Sequence, residues 1–270
     1  GETGETARPL EPNVFVSVGT DGITTVTITK SDMGQGIRTT LAMLVAEELD
    51  ADWTKVNVVQ ASADPKFGSQ GTGGSGSVRQ MFTPLRRAGA TARHLLVAAA
   101  AAQLGVDASA CRTENGAVIV NDKRLTYGEL ATAASQLPLP SGTIALKDRA
   151  NYKIVGKPAA RVDNKDVVTG KAQYAMDVSL PNMQHAAFVR APSFGIQLAS
   201  FDAAEALKVE GIIKIERVDN SVLIIGSNTW AVLKARGLLK TNWTYGDRAA
   251  VSSATIAEQM KAALGEHAAP

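Results

Sequence analysis

The stretch GSQGTGGSGSVRQ, residues 68–80, places five glycines directly before a long segment with helical apolar spacing. A shorter stretch, SDMGQGIRTT at residues 31–40, repeats this arrangement with two glycines around Gln35. We call residues 31–36 the first glycine loop and residues 68–76 the second glycine loop. Glycine permits positive φ and close approach of the backbone to another group. The two stretches therefore predict two loops at helix starts whose backbone comes close to a ligand.

The segments around these loops mix strand and helix patterns. Asp21-Gly22 is a turn dipeptide between two β-rich runs, and Thr126 and Glu129 have the spacing of a capping box before a short helix. The pattern predicts, in chain order, a hairpin at 13–30, a helix at 37–49, a strand at 55–61, a helix at 85–104 and a hairpin at 116–127.

The second half of the chain is predicted to be β-rich with a few helices. Strands and helices without strict βαβ alternation predict an α+β fold class. The prolines and glycine of LPLPSG, at residues 137–142, are typical of a connector between domains. The predicted organisation is a tail or cloning remnant at 1–11, a first domain at 12–147, a second domain at 150–247 and a C-terminal tail at 248–270.

Composition excludes several classes of function. The 270 residues carry 28 Lys+Arg against 26 Asp+Glu, a balance that argues against nucleic acid as the main partner. Cys111 is the only cysteine, so this chain cannot form an internal disulfide or hold an iron–sulfur cluster by itself. The three histidines, His94, His185 and His267, are too widely separated to predict a metal centre.

The second glycine loop admits several interpretations. GTGGSG, residues 71–76, matches the dinucleotide fingerprint, but no acidic residue follows within the distance that a ribose contact needs, so a nicotinamide enzyme is disfavoured. A flexible linker and a phosphate cradle both stay open. The cradle interpretation uses four arginines that follow the loop, which a solvated helix face would also explain: Arg79, Arg86, Arg87 and Arg93.

The first glycine loop is a weak motif when taken alone. The Gln35 amide both donates and accepts, which suits the edge of a heteroaromatic ring. The same amide could equally satisfy a carbonyl of its own loop, and Met33 could belong to the core.

Taken together, the two loops resemble a known family. Residues 32–58 and 71–106 are similar to the molybdopterin-binding large subunit of the xanthine oxidase family of molybdenum hydroxylases. The branch resembled is that of the isoquinoline 1-oxidoreductase β-subunit and the membrane-associated aldehyde dehydrogenases. Residues 156–195 resemble the family's α/β-hammerhead domain, which follows a cofactor-binding segment in this branch. The resemblance implies a partial molybdenum-cofactor-binding domain followed by a hammerhead-like domain.

The resemblance also implies a cofactor and a set of contacts. The cofactor would be molybdopterin with molybdenum, in the cytosine dinucleotide form that is usual in bacterial relatives. Three residues would touch the pterin or its phosphate: Gly34, Gln35 and Gly36. Four would hold the phosphates of the dinucleotide: Thr72, Gly73, Gly74 and Ser75. No catalytic residue and no metal ligand is assigned to this chain.

The implied chemistry is hydroxylation of an aldehyde or an N-heterocycle with water-derived oxygen. Electrons would pass to 2Fe–2S clusters on a small partner subunit, and the resemblance also allows a cytochrome subunit. Relatives include exported enzymes, which suggests a periplasmic or membrane-associated location, although no signal peptide is visible in the sequence. The alternatives are a non-catalytic module that keeps the fold and binds an anion or a protein, and the disfavoured nicotinamide enzyme.

The sequence departs from the family pattern at several positions. Asp32 replaces a usual glutamate, Gly76 replaces a larger polar residue, and Asn182 replaces the glycine of a hammerhead turn. The family's catalytic base is a glutamate in a Gly-Glu motif, and none of the four Gly-Glu pairs here, including the one at Glu129, is credible in that role. We therefore expect the chain to be the first third of a longer subunit, whose C-terminal remainder is a partner.

Overall fold

The computed structural model describes residues 7–266; the start of the predicted tail (1–6) and residues 267–270, which include His267, lie outside the described residues. The chain divides into two compact units, residues 1–172 and 173–270. The elements of the first unit are β1 Leu10–Asn13, β2 Val16–Val18, β3 Thr24–Ile28, α1 Ile37–Leu49, β4 Val56–Gln60, α2 Ser77–Leu104, β5 Arg112–Glu114, β6 Ala117–Val120, β7 Lys123–Thr126, α3 Tyr127–Ser135 and α4 Asn164–Val168. Those of the second unit are β8 His185–Arg190, β9 Gln197–Asp202, β10 Ile212–Val218, β11 Ser221–Gly226, α5 Thr229–Leu238, β12 Lys240–Thr244 and α6 Ser253–Glu266. The mixture confirms the α+β fold class.

A four-stranded sheet in the order β1-β2-β3-β4 organises the first unit. The hairpin of β2 and β3 is antiparallel, as the turn dipeptide predicted, and its inward valines and isoleucine are buried. β4 pairs with β3 in parallel, so α1 is the crossover between them. This single β-α-β unit determines where the two glycine loops begin.

The helices α1 and α2 cover the sheet and pack closely on each other. At Gly89 of α2, an added Cβ would lie 2.5 Å from the carbonyl oxygen of Val45 in α1. The absence of a side chain therefore lets the two backbones approach, and the apolar residues around this contact form the main core of the unit.

The structure differs from the sequence prediction at two boundaries. α2 begins at Ser77 rather than at residue 85, so the second glycine loop runs directly into it, and Pro84 lies inside the helix. Leu10, which the sequence analysis assigned to the tail, pairs in β1 with Val18 and is 2% exposed. Burial of the Leu10 side chain therefore extends the first unit into residues that the sequence analysis assigned to the tail.

Residues 147–155, which follow the predicted connector at 137–142, are bound to the first unit. The Glu47 carboxylate, at the end of α1, accepts hydrogen bonds from the backbone N–H groups of Lys153, Ile154 and Val155 at 2.6–3.2 Å, and it pairs with the Lys147 ammonium at 3.2 Å. Burial raises the pKa of the Glu47 carboxyl, but these hydrogen bonds outweigh burial, and the net pKa lies below its ordinary value. The unit consequently extends to residue 172, past the predicted boundary near 147.

The second unit consists of two small sheets and a short helical cover. β10, β11 and β8 form one antiparallel sheet, and β9 pairs with β12. A compact cluster of four fully buried residues lies between the first sheet and α5: Ala206, Ile224, Val232 and Ala235. Asn182 has φ 60°, the left-handed conformation that its place in a glycine turn requires and that asparagine tolerates. The hammerhead assignment itself stays a prediction. Among residues 7–266, no helix combines the length and apolarity that crossing a bilayer needs.

Candidate functional site

The two glycine loops leave the same edge of the four-stranded sheet. The first follows the carboxyl end of β3, and the second follows the carboxyl end of β4. Because these strands are parallel neighbours, their carboxyl ends meet at one edge, which is where open sheets with crossover helices bind ligands. The topology therefore brings together two loops that lie more than thirty residues apart in sequence.

A cavity of about 520 Å³ lies between the loops. It is lined by residues of both loops and of the first turns of α1 and α2: Met33, Gln35, Ile37, Thr40, Thr72, Gly73, Ser75, Ser77 and Val78. Of the predicted site residues, Gln35, Thr72, Gly73 and Ser75 thus line one cavity. Gly34, Gly36 and Gly74 belong to the same loops but do not line it.

Thr72 joins the two loops directly. Its hydroxyl accepts a hydrogen bond from the backbone N–H of Ser31 at 3.0 Å and donates to the carbonyl oxygen of the same residue at 3.3 Å. A hydroxyl that both donates and accepts can make this pair of contacts, and a methyl group cannot. Thr72 therefore fixes the distance between the loops as well as lining the cavity.

The first glycine loop is closed by its own side chains. The Asp32 carboxylate accepts hydrogen bonds from the backbone N–H groups of Gly34 at 2.8 Å, Gly36 at 3.4 Å and Arg38 at 3.1 Å. A carboxylate at this position satisfies donors at the start of α1 and interacts favourably with the helix dipole. The start of α1 is thus already occupied by an anionic group of the protein.

Gln35 is also engaged within the first glycine loop. Its side-chain oxygen accepts from the N–H of Met33 at 2.5 Å, and its amide nitrogen donates to the carbonyl of Ser31 at 3.0 Å. Each atom retains capacity for one more bond, so the loop contacts do not preclude a ligand contact. Arg161 supports the loop from outside by donating to the carbonyl of Gly34 at 2.8 Å and pairing with Asp32 at 3.6 Å.

The second glycine loop differs from the first at the start of the helix that follows it. α2 has no side-chain cap at Gly76, and the backbone N–H groups of Ser77, Val78 and Arg79 make no hydrogen bond to any described residue. Gly74 and Ser75 adopt left-handed φ values of 57° and 52°. Unbonded amides at a helix start form an anion-binding site when an anionic group is available.

A buried lysine beneath this loop was missed by the sequence analysis. Lys30 is 1% exposed, and its ammonium donates to the carbonyl oxygens of Ser69 at 2.9 Å and Gly71 at 3.1 Å and to the side-chain oxygen of Gln80 at 3.1 Å. Gly76 makes room for Gln80, since a Cβ there would lie 2.9 Å from the Gln80 amide nitrogen. The signal was a lysine at the end of a β-rich run, directly before the first glycine loop.

The arginines do not form the predicted cradle. Arg86 pairs with Glu48 at 2.7 Å, and Arg93 pairs with Asp50 at 3.5 Å, at the end of α1 that lies away from the glycine loops. Arg79 and Arg87 are exposed on α2. The prediction of a basic series backing the loop is therefore wrong for Arg86 and Arg93, whose acidic partners come from another helix that sequence spacing does not reveal.

Other candidate residues have structural roles or weak reactivity. Glu129 forms a capping box with Thr126, with the Glu129 carboxylate accepting from the Thr126 N–H at 2.7 Å. Burial raises the pKa of the Cys111 thiol, and the Asp107 carboxylate raises it further, so little thiolate forms near neutral pH. Within residues 7–266 there is no group of three or more His, Cys, Asp or Glu side chains placed to hold a metal ion.

Comparison with known proteins matches this arrangement to a family. A family model described as a molybdopterin cofactor-binding domain matches residues 2–190. The β-subunit of the isoquinoline 1-oxidoreductase of Brevundimonas diminuta is 35% identical, covering 90% of this chain and 37% of that protein. The membrane-bound aldehyde dehydrogenase (pyrroloquinoline-quinone) of Gluconacetobacter polyoxogenes is 28% identical over 93% of this chain and 34% of its own length. A nicotinate dehydrogenase subunit from Pseudomonas putida is 31% identical over 88% and 21%.

The match over residues 2–190 shows that the chain belongs to the molybdopterin cofactor-binding domain family. More particularly, it corresponds to part of the molybdenum-binding subunit of the xanthine oxidase family, as the resemblance of its two glycine loops predicted. The chain spans between 21% and 37% of the length of these curated relatives.

Proposed function

We propose that this chain is the cofactor-binding portion of a molybdenum hydroxylase that oxidises an aldehyde or an N-heterocycle. In the overall reaction a substrate C–H and water give C–OH, two protons and two electrons. We propose that the electrons pass to 2Fe–2S clusters on a small partner subunit and that a cytochrome subunit can accept them from there. We also propose that the complex is periplasmic or membrane-associated. The cofactor supplies the redox chemistry when bound, and this chain supplies its binding site.

The observation that carries the proposal is the shared cavity between the two glycine loops. Its phosphate side would be formed by the unbonded amides at the start of α2, together with Ser75 and the backbone of Gly73 and Gly74. Thr72 would contribute its backbone N–H, because its hydroxyl proton is already donated to Ser31. Gln35 would contact the pterin with its remaining donor and acceptor capacity. We assign Gly34 and Gly36 to shaping the loop, because their N–H groups are already bonded to Asp32.

The residues present fit an anionic pterin cofactor. The cavity has polar hydroxyls and free donors on one side and the apolar side chains of Ile37 and Val78 on another. Neutral donors and an apolar wall suit a flat ring system joined to phosphate groups. The cytosine dinucleotide form is proposed from the resemblance.

Cofactor analysis of the assembled protein tests this proposal. The chain is co-expressed with the remainder of the large subunit and the iron–sulfur subunit, in a host that makes molybdopterin dinucleotides. We expect about stoichiometric molybdenum, a pterin and acid-released CMP. Gln35→Ala should lower molybdenum content or activity, whereas Cys111→Ser should change neither. A complex that retains a quinone and no pterin would contradict the proposal.

The 270-residue chain alone should not oxidise aldehydes or N-heterocycles, even with added cofactor and an artificial electron acceptor. A general base and a closed pocket each contribute orders of magnitude to rate, and the one fully described Gly-Glu pair uses Glu129 as a helix cap. Turnover by the purified chain would show that it contains its own base. Anion binding without cofactor retention in the assembled complex would favour the alternative, a non-catalytic module that keeps the fold.

A further inference from the structure

Lys30 differs from the other buried charged residues of the first unit. Glu47, Glu48 and Asp50 are also buried, and each lies within 4.0 Å of a cationic side chain. Lys30 has three hydrogen-bond acceptors, all of them neutral, and no carboxylate within 4.0 Å in the part of the chain that the structure describes. Its hydrogen bonds are satisfied, and its charge is not compensated.

A buried ammonium with only neutral acceptors costs folding free energy if its role is structural only. Fully buried lysines are rare unless paired, and removing an ammonium from water costs several kcal/mol even after the protein relaxes. A neutral amide side chain could bond the same carbonyls without that cost. The uncompensated charge therefore indicates a negative partner outside the described protein.

The hydrogen bonds of Lys30 also orient the donors of the second glycine loop. A trans peptide unit points its C=O and its N–H in opposite directions, and the described residues contain no cis peptide bond. When the ammonium holds the carbonyl of Gly71, the N–H of Thr72, in the same peptide unit, points away from Lys30. Thr72 lines the cavity, so this carbonyl contact helps to set the direction of a donor beside it.

We infer that Lys30 is the positioning residue of the site's phosphate-binding side. It holds the second glycine loop through the carbonyls of Ser69 and Gly71, and its charge attracts the pyrophosphate group of a dinucleotide cofactor without touching it. This inference rests on the proposed function, because it assumes that a pyrophosphate occupies the cavity. Lys30 lies outside both loops and in this role is the source of positive potential at the second glycine loop.

Binding of inorganic pyrophosphate to the 270-residue chain tests the inference. Lys30→Met removes the charge at nearly constant length, Lys30→Arg keeps it, and Lys55→Met removes an exposed lysine of the same unit as a control. Titration calorimetry gives the dissociation constant at low and high salt, and hydrogen exchange of residues 68–80 reports the order of the loop. We expect Lys30→Met to raise the dissociation constant about tenfold or more, the effect of losing one poorly screened charge.

The salt dependence separates charge from structure. Loss of a charge should flatten the dependence of affinity on salt, and Lys30→Arg should restore it, whereas a purely structural role would change loop exchange and leave the salt dependence intact. Equal affinity of wild type, Lys30→Met and Lys55→Met would overturn the role of Lys30 and leave the proposed site standing. Failure of the wild type to bind pyrophosphate would overturn both the phosphate site and the role of Lys30.

Discussion

The two glycine loops begin at the same sheet edge and differ in what holds them. In the first, the Asp32 carboxylate bonds three backbone N–H groups and occupies the start of α1. In the second, the buried ammonium of Lys30 bonds backbone carbonyls, and the amides at the start of α2 have no described partner. A carboxylate that takes up donors closes a loop to anions, whereas a cation that takes up acceptors leaves the donors available. We therefore propose the second glycine loop as the anion site, with the first glycine loop contributing Gln35 beside it.

The largest effect is expected at Glu47, which binds residues 147–155, the segment that leads to Arg161 at the first glycine loop. Glu47→Gln should destabilise the first unit by about 3 kcal/mol, because a buried ion pair loses its carboxylate. Hydrogen exchange of α1 amides measures this loss. Exchange should rise in residues 31–40 and stay unchanged in residues 68–80. Glu11→Gln, at an exposed position, is the control. Equal loosening of both loops would contradict the conclusion that different side chains hold them.

The same carboxylate predicts a pH dependence. Because the pKa of Glu47 is lowered in the folded protein, its contribution to stability is complete above the ordinary glutamate pKa of about 4.3 and is lost as the pH falls through the folded value. The acid limb of the stability curve should therefore be shallower in Glu47→Gln than in wild type. Urea unfolding between pH 3 and pH 7 checks this. Parallel acid limbs would mean that Glu47 is not held as described.

Asp32→Ala tests the first glycine loop directly. Loss of a capping carboxylate and of its ion pair with Arg161 should cost about 2 kcal/mol, and Asp32→Asn, which keeps one acceptor oxygen, should cost less. The variant also exposes the amides at the start of α1. If the comparison is right, Asp32→Ala should gain affinity for inorganic phosphate that wild type has only at the second loop. Phosphorus NMR titration measures this gain, and its absence would mean that the Asp32 carboxylate does not keep anions away from the start of α1.

Thr72→Val tests whether the loops are held at a fixed distance. The substitution keeps the shape and removes two hydrogen bonds to Ser31, so we expect a loss of about 1 kcal/mol. Thr72→Ser keeps the hydroxyl and serves as the matched control. Thermal unfolding of the first unit gives the stability, and an unchanged midpoint in Thr72→Val would mean that the contact between the loops contributes nothing.

The sequence could predict part of this site and not the rest. Glycine spacing identified both loops, and their resemblance to a family identified the class of ligand. The parallel pairing of β3 and β4, which brings the loops together, is a long-range contact that periodicity does not encode. The partners of Arg86 and Lys30 lie 38 or more residues away in sequence. An arginine series was therefore given the role that we propose for the buried Lys30.

The smallest effect on stability is expected at Ser75, a serine of the second glycine loop with a left-handed φ. A non-glycine residue at φ 52° carries strain of about 1 kcal/mol, so Ser75→Gly relieves strain, while the added flexibility of glycine in the unfolded chain costs a similar amount. The net change in unfolding free energy should lie within about 0.5 kcal/mol. Pyrophosphate affinity should nevertheless fall several-fold, because the side chain of a residue that lines the cavity is lost. Ser31→Gly changes a serine of the first glycine loop that does not line the cavity, and its affinity should equal that of wild type. If Ser75 has a binding role, its strained backbone should contribute no stability relative to glycine while its side chain contributes affinity. If Ser75→Gly leaves affinity intact and raises stability by the full strain energy, the second glycine loop is strained for a reason other than its ligand.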